Sequence, residues 1–466
     1  MKTYTVRCAG EELQVNEVTV SAVPFNRVWT GVQRAKEQTE PGFFVTVDAD
    51  GPVTLEISVE EGFADYELRP RTYDLRDERC GNTVTLTADR PMQFSFEPDG
   101  FHNALHVFIN PVSVRPQGDI LYYGPGVHTA GLIWLESGQT LYLEEGAWVY
   151  GTIFAKDAQN VRILGRGVLD SSPYRRENDP SPDGHEIRDE LEAKGIYTPE
   201  VLRPSLTCAN LILWGCRNVT VEGVTLVDSM RWSVILRNHC ENDTIDNIKL
   251  VGQWRYNADG IDICASKNVT VKNCFIRSFD DCFVARAPYL IGEERDVENI
   301  TVENCVLWCD WGKALEIWCG DRPCVVRNIT FKNIHVSHLD QMAIAISTWY
   351  GSGSTLVENV SYTDIFIDGE QEYPVPQCES PEHPEYIPQT GFVPWLVNIH
   401  AMKLGKYTGN QGYAAAEDLS GFHLRYRNIG FKNVRYTGRP LKVEVQPIPE
   451  VLCIENIRVE NSDFTL

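Results

Sequence analysis

The chain has no long apolar run: nothing in its 466 residues approaches the ~18 consecutive apolar residues of a membrane-spanning helix. Its first residues, Met1-Lys2-Thr3-Tyr4-Thr5-Val6-Arg7, lack the apolar core and small-residue cleavage site of a secretory leader. A cytoplasmic protein with no membrane contact is therefore expected. Basic residues are scarce, with 42 Lys and Arg against 65 Asp and Glu and a formal charge of −23. Phosphate binding needs concentrated Lys and Arg, so nucleic acid and anionic membrane surfaces are excluded as partners. A polyanionic substrate is disfavoured too, although a local basic groove can sit on an acidic protein. Among 14 cysteines there is no C-x-x-C pair. The nearest spacings are Cys305/Cys309 and Cys319/Cys324, and the histidines that follow, His335 and His338, lie closer together than a zinc finger's pair. No metal and no cofactor is expected. Nor is the chain small and cysteine-dense, as secreted disulfide scaffolds are. The cysteines are expected to be buried, reduced core residues.

What is present is ordinary in composition, at 43% hydrophobic and 23% charged, which argues against general disorder. The length exceeds the usual ceiling for one core, so two domains or an elongated repeat array are expected. Up to about residue 115, apolar and polar residues alternate in short runs: Phe43 to Val47, Val53 to Val59, Thr83 to Thr87, Met92 to Phe96 and Leu105 to Ile109. Turn clusters such as Asp48-Ala49-Asp50-Gly51 and Pro98-Asp99-Gly100 separate them. This pattern predicts a small β-sandwich over 1–115, closed by the boundary Pro111-Val112-Ser113-Val114-Arg115-Pro116.

Over 116–466 the pattern changes. A unit of the form Asn-apolar-x-apolar-x-Asn/Gly/Asp-apolar begins at Asn160, Asn218, Asn242, Asn268, Asn299, Asn328, Asn359, Asn428 and Asn456. Units of roughly 20–30 residues that are rich in strand formers predict an all-β solenoid, a parallel β-helix. One coil cannot bury its own inward residues, such as Val269, Val271 and Cys274; stacked coils bury them together. Asn at the same place in each turn fits its tolerance of the left-handed conformation and an amide able to bond to the coils above and below. Two stretches break the period. Asp170 to Pro204 carries a helix-like piece from Glu186 to Lys194, and Gly369 to Thr390 is rich in Pro and Glu. Such loops on a repeat scaffold are expected to wall a groove and to close one end of it.

The acidic residues that carry chemistry lie in neighbouring coils. Asn257-Ala258-Asp259-Gly260-Ile261-Asp262 is followed by Ser278-Phe279-Asp280-Asp281-Cys282-Phe283. The step from Asp259 to Asp280 is close to one coil, which places the carboxylates one above another. Clustered carboxylates repel, so one holds its proton while another stays ionised. Glycoside hydrolysis needs that asymmetry, a protonated acid for the leaving oxygen and a carboxylate to activate water. Adjacent residues on a flat strand face opposite ways, so Asp280 and Asp281 can share a cleft only at a bend or bulge. An isolated Asp-Asp pair is usually a turn or a solvated face; with Asn-x-Asp-Gly one coil earlier it is a specific signal.

The order Arg203-Pro204-Ser205, Cys216 to Val224, Asp228-Ser229-Met230-Arg231-Trp232, Asn257-Ala258-Asp259-Gly260-Ile261-Asp262 and Asp280-Asp281-Cys282 resembles glycoside hydrolase family 28, the polygalacturonase family, over roughly residues 120–350. The resemblance implies a right-handed parallel β-helix and inverting, single-displacement hydrolysis. It makes Asp280 the general acid, with Asp259 and Asp281 holding and activating the water. Two departures stand out. Lys313, in Gly312-Lys313-Ala314, occupies the place of the family's Gly-His-Gly histidine. No basic residue occurs at Ala345-Ile346-Ser347-Thr348, where the family's Arg-Ile-Lys grips the sugar carboxylate. A substrate carboxylate there is left unpaired, which is costly. With the charge of −23 this favours a neutral oligo- or polysaccharide. The sandwich-then-helix order is also similar to glycoside hydrolase family 49, the dextranase and isopullulanase group.

Candidate substrate-binding residues surround the trio: Asn257, Arg286, Lys313 and Glu316, the last either a fourth cleft carboxylate or a partner of Lys313. Trp254, Trp308, Trp311, Trp318, Trp349 and Tyr350 crowd the same coils, and indole faces suit the apolar faces of sugar rings, though Trp is as often simply core. Alternatives are a polygalacturonase whose carboxylate grip comes from Arg286, Arg322 or Lys313, a β-helix polysaccharide lyase, and a non-catalytic glycan-binding solenoid.

Overall fold

A computed structural model describes residues 1–22, 36, 39–175, 185–186, 188–194, 209–287, 296–319, 323–349, 353–370, 393–402, 404–407, 413–415 and 422–466. Most of the two long insertions, together with Arg203, Pro204, Ser205, Arg322, Tyr350 and the side chain of Trp349, lies outside the described residues. No helix among these residues is long and apolar enough to cross a membrane.

The strands between residues 4 and 110 form two five-stranded sheets packed face to face. Thr39–Asp48, Val53–Val59, Thr83–Ala88, Met92–Pro98 and Leu105–Asn110 coincide with the five alternating runs. Val53–Val59 shows why: its odd members are buried and its even members lie toward solvent, the period-two signature of a strand with one wet face. Five further strands, Tyr4–Cys8, Glu11–Leu13, Asn16–Ser21, Tyr66–Arg69 and Arg76–Cys80, lie outside those runs.

From Leu121 onward, 25 strands join in one parallel array, which winds as a β-helix with three faces. One face runs through Thr220–Glu222, Thr244–Asp246 and Lys267–Lys272, a second through Thr225–Val227, Lys249–Leu250 and Phe275–Ser278. The third runs through Val234–Arg237, Ile261–Cys264, Phe283–Ala287, Lys313–Cys319, Met342–Trp349 and Trp395–Met402. A single core runs along the axis, and it contains Val269, Val271 and Cys274 as expected. Each such apolar side chain, removed from water, stabilises by about 1.5–3 kcal/mol. All nine repeat asparagines have positive φ, from 53° at Asn456 to 62° at Asn242. Their amides form a ladder, for example Asn299 Nδ2 to Asn268 Oδ1 and Asn328 Nδ2 to Asn299 Oδ1, both 2.8 Å. A second ladder follows the other turn through Asn273, Asn304 and Asn333.

The cysteine expectation needs one correction. Nine central cysteines, from Cys216 to Cys324, are buried and free, but Cys80 and Cys453, on strands at the edges of their sheets, are exposed, and Cys8, at the end of the inner strand Tyr4–Cys8, is half-buried. Cys208 and Cys378 lie outside the described residues.

The sandwich packs on the second face of the helix. Val18, Val20, Phe44 and Phe108 meet Val168, Val227, Val251, Phe275 and Val306. At the far end, Arg69 donates to the carbonyls of Ser337 and Asp368, and Glu97 accepts from His338 Nε2 at 3.0 Å. Trp308, placed in the sequence among the cleft aromatics, belongs here instead. It is 2% exposed, with the His338 ring 3.9 Å and the Arg277 guanidinium 3.9 Å from its own ring. Among the described residues, the apolar contacts of the sandwich are made with the second face.

Candidate active site

The acidic trio sits where the chain turns from the second face onto the third. Asp280 and Asp281 occupy a bend between Phe275–Ser278 and Phe283–Ala287, and the bend releases the two side chains from the alternation of a flat strand. Backbone bonds weld the neighbouring coils together. Asp280 N donates to Ala258 O at 3.2 Å, and Gly260 N donates to Asp281 O at 2.7 Å. Two glycines make this approach possible. A Cβ on Gly260 would stand 2.2 Å from Cys282 O, and one on Gly312 would stand 2.6 Å from Asp280 Oδ1 and from Asp281 N. Asn257 takes the left-handed conformation at φ 54°, and its Nδ2 donates to Asp280 Oδ2 at 3.1 Å.

The third face supplies the rest through its outer rows. Ile261, Ile263, Leu315 and Ile317 point into the core, so Asp262 and Glu316, on one row two coils apart with Val284 between them, face outward. The next outer row carries Arg286, Trp318, Ser347 and His400. Arg286 Nε donates to Asp262 Oδ1 at 2.8 Å and a terminal nitrogen to Asp259 Oδ2 at 3.2 Å. Its guanidinium also lies 4.4 Å from the Trp232 ring and 5.0 Å from the Trp318 ring. Lys313 Nζ lies 3.1 Å from Asp281 Oδ1 and 3.3 Å from Glu316 Oε2. Ser347 Oγ donates to Glu316 Oε1 at 2.8 Å.

Five carboxylates and two cations in one largely buried cluster divide protons unevenly. Burial, reinforced by Asp281, pushes Asp280 up to about 8. Burial would raise Asp281 as well, but Lys313 at contact distance overrides it and holds this carboxyl below its ordinary value. Burial and the surrounding carboxylates push Asp259 well up despite its bond to Arg286. Burial likewise raises Asp262 to about 6 and Glu316 to about 7. The adjacent carboxyls of Asp280 and Asp281 are thus shifted in opposite directions, the first upward and the second downward. Asp259 Oδ1, Asn257 Oδ1 and Asp262 Oδ2 are buried without a hydrogen-bond partner among the described residues, a cost that a water or sugar hydroxyl relieves.

The structure brings Asn257, Arg286, Lys313 and Glu316 into contact with the trio. Trp318 covers Arg286, Trp311 stacks on Phe279 with ring centres 6.1 Å apart, and Trp254 lies beside Arg255, which pairs with Asp228 at 2.7 Å. Sequence reasoning gave no role to Asp262, Trp232, Gly312, Ser347 or His400. Asp262 was recoverable from the alternation in Ile261-Asp262-Ile263, whereas the others depend on the register between coils.

The profile described as "Glycosyl hydrolases family 28" matches residues 205–452, more than half of the chain. The chain belongs to glycoside hydrolase family 28. A dextranase from Arthrobacter sp. (strain CB-8) is 24% identical to this family 28 chain over 336 residues, 63% of the chain and 48% of the dextranase. A probable exopolygalacturonase B from Emericella nidulans is 24% identical over 308 residues, 60% of the chain and 61% of that protein. The chain thus spans about half the length of the dextranases it matches. Among solved structures, Dex49A from Penicillium minioluteum aligns over 100% of this chain and 89% of its own, with a TM-score of 0.55 and 12% identity. That likeness extends the shared architecture through the N-terminal sheets.

Proposed function

We propose that this family 28 protein is an inverting glycoside hydrolase acting on a neutral glycan, with dextran and related α-glucans as the first candidates. Asp280 gives its proton to the leaving glycosidic oxygen. Asp281, held ionised, takes a proton from the attacking water, and Asp259 holds that water through its unpartnered oxygen. The assignment follows the division of protons within the pocket and the requirement of the reaction for one acid and one base.

One observation carries the choice of substrate. Arg286 and Lys313 are each already bonded to two protein carboxylates, so neither is available to a sugar carboxylate. A uronic acid there would add another anion to a cluster of five acids and two cations, without a partner. The dextranase relatives support the same reading.

A second reading rests on Arg231. Its charge reaches Asp262, and its buried Nε has no hydrogen-bond partner among the described residues. This arginine is the cation from which a galacturonan fragment could draw a grip. Dextran, pullulan and polygalacturonate, each incubated with and without EDTA, separate the possibilities. New reducing ends from dextran or pullulan support the proposal, and cleavage of polygalacturonate alone moves the assignment to Arg231. An unsaturated product that EDTA abolishes establishes a lyase, and binding without product establishes a non-catalytic solenoid.

A further inference from the structure

Lys313 stands one coil beyond the adjacent aspartates, at the start of Lys313–Cys319. Its contacts are directional. The backbone N–H donates to Asp281 Oδ1 at 2.8 Å, and Nζ lies 3.1 and 3.3 Å from the two oxygens of the same carboxylate. All of these hydrogen bonds go to Asp281 and none to Asp280, whose Oδ2 instead accepts from Asn257. Glu316 holds the ammonium from the other side at 3.3 Å and is itself fixed by Ser347. Gly312 closes the arrangement, because its bare Cα lets this strand start against Asp280 and Asp281.

We infer that Lys313, clamped between Asp281 and Glu316, is the positioning residue that makes two adjacent aspartates unequal, fixing Asp281 as the anion and leaving the proton to Asp280. The inference rests on the acid and base assignment above and adds what selects between the two. Symmetry is the difficulty that it answers. Two neighbouring buried carboxyls share a proton with no intrinsic preference, and a general acid and a general base must not exchange roles. A cation within ~4 Å of one of them lowers that one by about 1–3 pH units. Glu316, raised by burial, donates its proton in a hydrogen bond to Asp281 and so acts in the same direction. His400, on the row beside Ser347, is kept uncharged, since burial and the Lys313 charge hold it down at about 4. It therefore adds no competing cation. The other charges facing Asp281 are Asp280, Asp259, Asp262 and Arg286, all of which remain in place when Lys313 is replaced.

The test needs no substrate. In an infrared titration of the folded full chain, the protonated-carboxyl band is followed with pH for wild type, Lys313→Met, Lys313→Arg and Lys313→Met with Asp281→Asn. Lys313→Met is expected to move the midpoint of one carboxyl upward by about one pH unit or more. The double variant loses that carboxyl, and Lys313→Arg, which keeps the charge, titrates as wild type does. Glu316→Gln provides a second handle should the methionine variant not fold. With Lys313 left to Asp281 alone, no carboxyl midpoint is expected to move upward. An unchanged titration in Lys313→Met overturns the inference, as does an equal shift in Lys313→Arg or an upward shift in Glu316→Gln. Loss of hydrolysis in Asp280→Asn is read separately and bears on the acid assignment alone.

Discussion

Replacing Asp280 by Asn separates what this residue does for chemistry from what it does for the fold. The carboxyl has an ordinary value of 3.8 and is raised by burial to about 8 in the folded chain. Between those values the unfolded state has released its proton while the folded state retains it, so stability falls as pH rises and reaches its full loss above the folded value. Each pH unit corresponds to about 1.4 kcal/mol, which gives a ceiling of about 5 kcal/mol near pH 8. Coupling to Asp259, Asp262, Asp281 and Glu316 redistributes part of this, leaving on the order of 2 kcal/mol. Asparagine is never ionised and keeps an acceptor for Asn257 Nδ2. Asp280→Asn is therefore expected to match wild-type thermal stability near about pH 4 and to exceed it increasingly toward about pH 8. It should also lose about 10²–10⁴-fold in kcat as the proton donor disappears. Calorimetry across that pH range, paired with reducing-end release from dextran, reads both effects. A variant that keeps activity within tenfold of wild type, or that grows less stable relative to it as pH rises, refutes the reasoning.

Gly312→Ala places a methyl 2.6 Å from Asp280 Oδ1 and Asp281 N, so the dyad must move; kcat/KM measured on the cleaved glycan is expected to fall about 100-fold. Asn299→Ala removes the amide bonds toward Asn268 and Asn328 and puts a Cβ-only residue at φ 57°. Chemical denaturation should show a loss of about 1–3 kcal/mol with kcat unchanged. The His338–Glu97 contact joins the sandwich to the helix. Glu97 is held below its ordinary 4.5 by His338 and Arg69 against burial, and His338 is held above its ordinary 6.5 by Glu97 and Glu370 against burial. Its stabilisation is complete between those two values, declining on the acid side as Glu97 protonates and on the alkaline side as His338 loses its proton. In His338→Gln the melting temperature should lose that bell-shaped component, as a thermal scan against pH would show.

The solenoid was legible because asparagines mark nine of its coils, from Asn160 to Asn456, each in a left-handed turn that few other residues accept. The aspartates were legible for a related reason: Asn257, Gly260 and the bend at Asp280 are local requirements written in local sequence. The ion pairs were not. Whether Arg286 reaches Asp259 and Asp262, and whether Lys313 reaches Asp281 rather than Asp280, depends on register between coils of different length. Insertions stretch one asparagine step to 69 residues, from Asn359 to Asn428, so spacing no longer reports which residues are neighbours. Trp308 went astray in the same way, since nothing local says that its face of the helix is covered by the sandwich. The alternation within Ile261-Asp262-Ile263 shows that part of the network could have been read by following inward and outward positions coil by coil.

The rows of the third face carry a further consequence. Coils repeat every ~4.8 Å along the axis, and each adds its own outward residues beside the reacting pair without sharing backbone bonds beyond its immediate neighbours. Ala345 and Asn398 continue the row of Glu316, and Ser347 and His400 continue that of Arg286. Specificity on such a surface can diverge one coil at a time while the aspartates stay untouched, so a single ancestral scaffold can turn to a different sugar by small, separable steps.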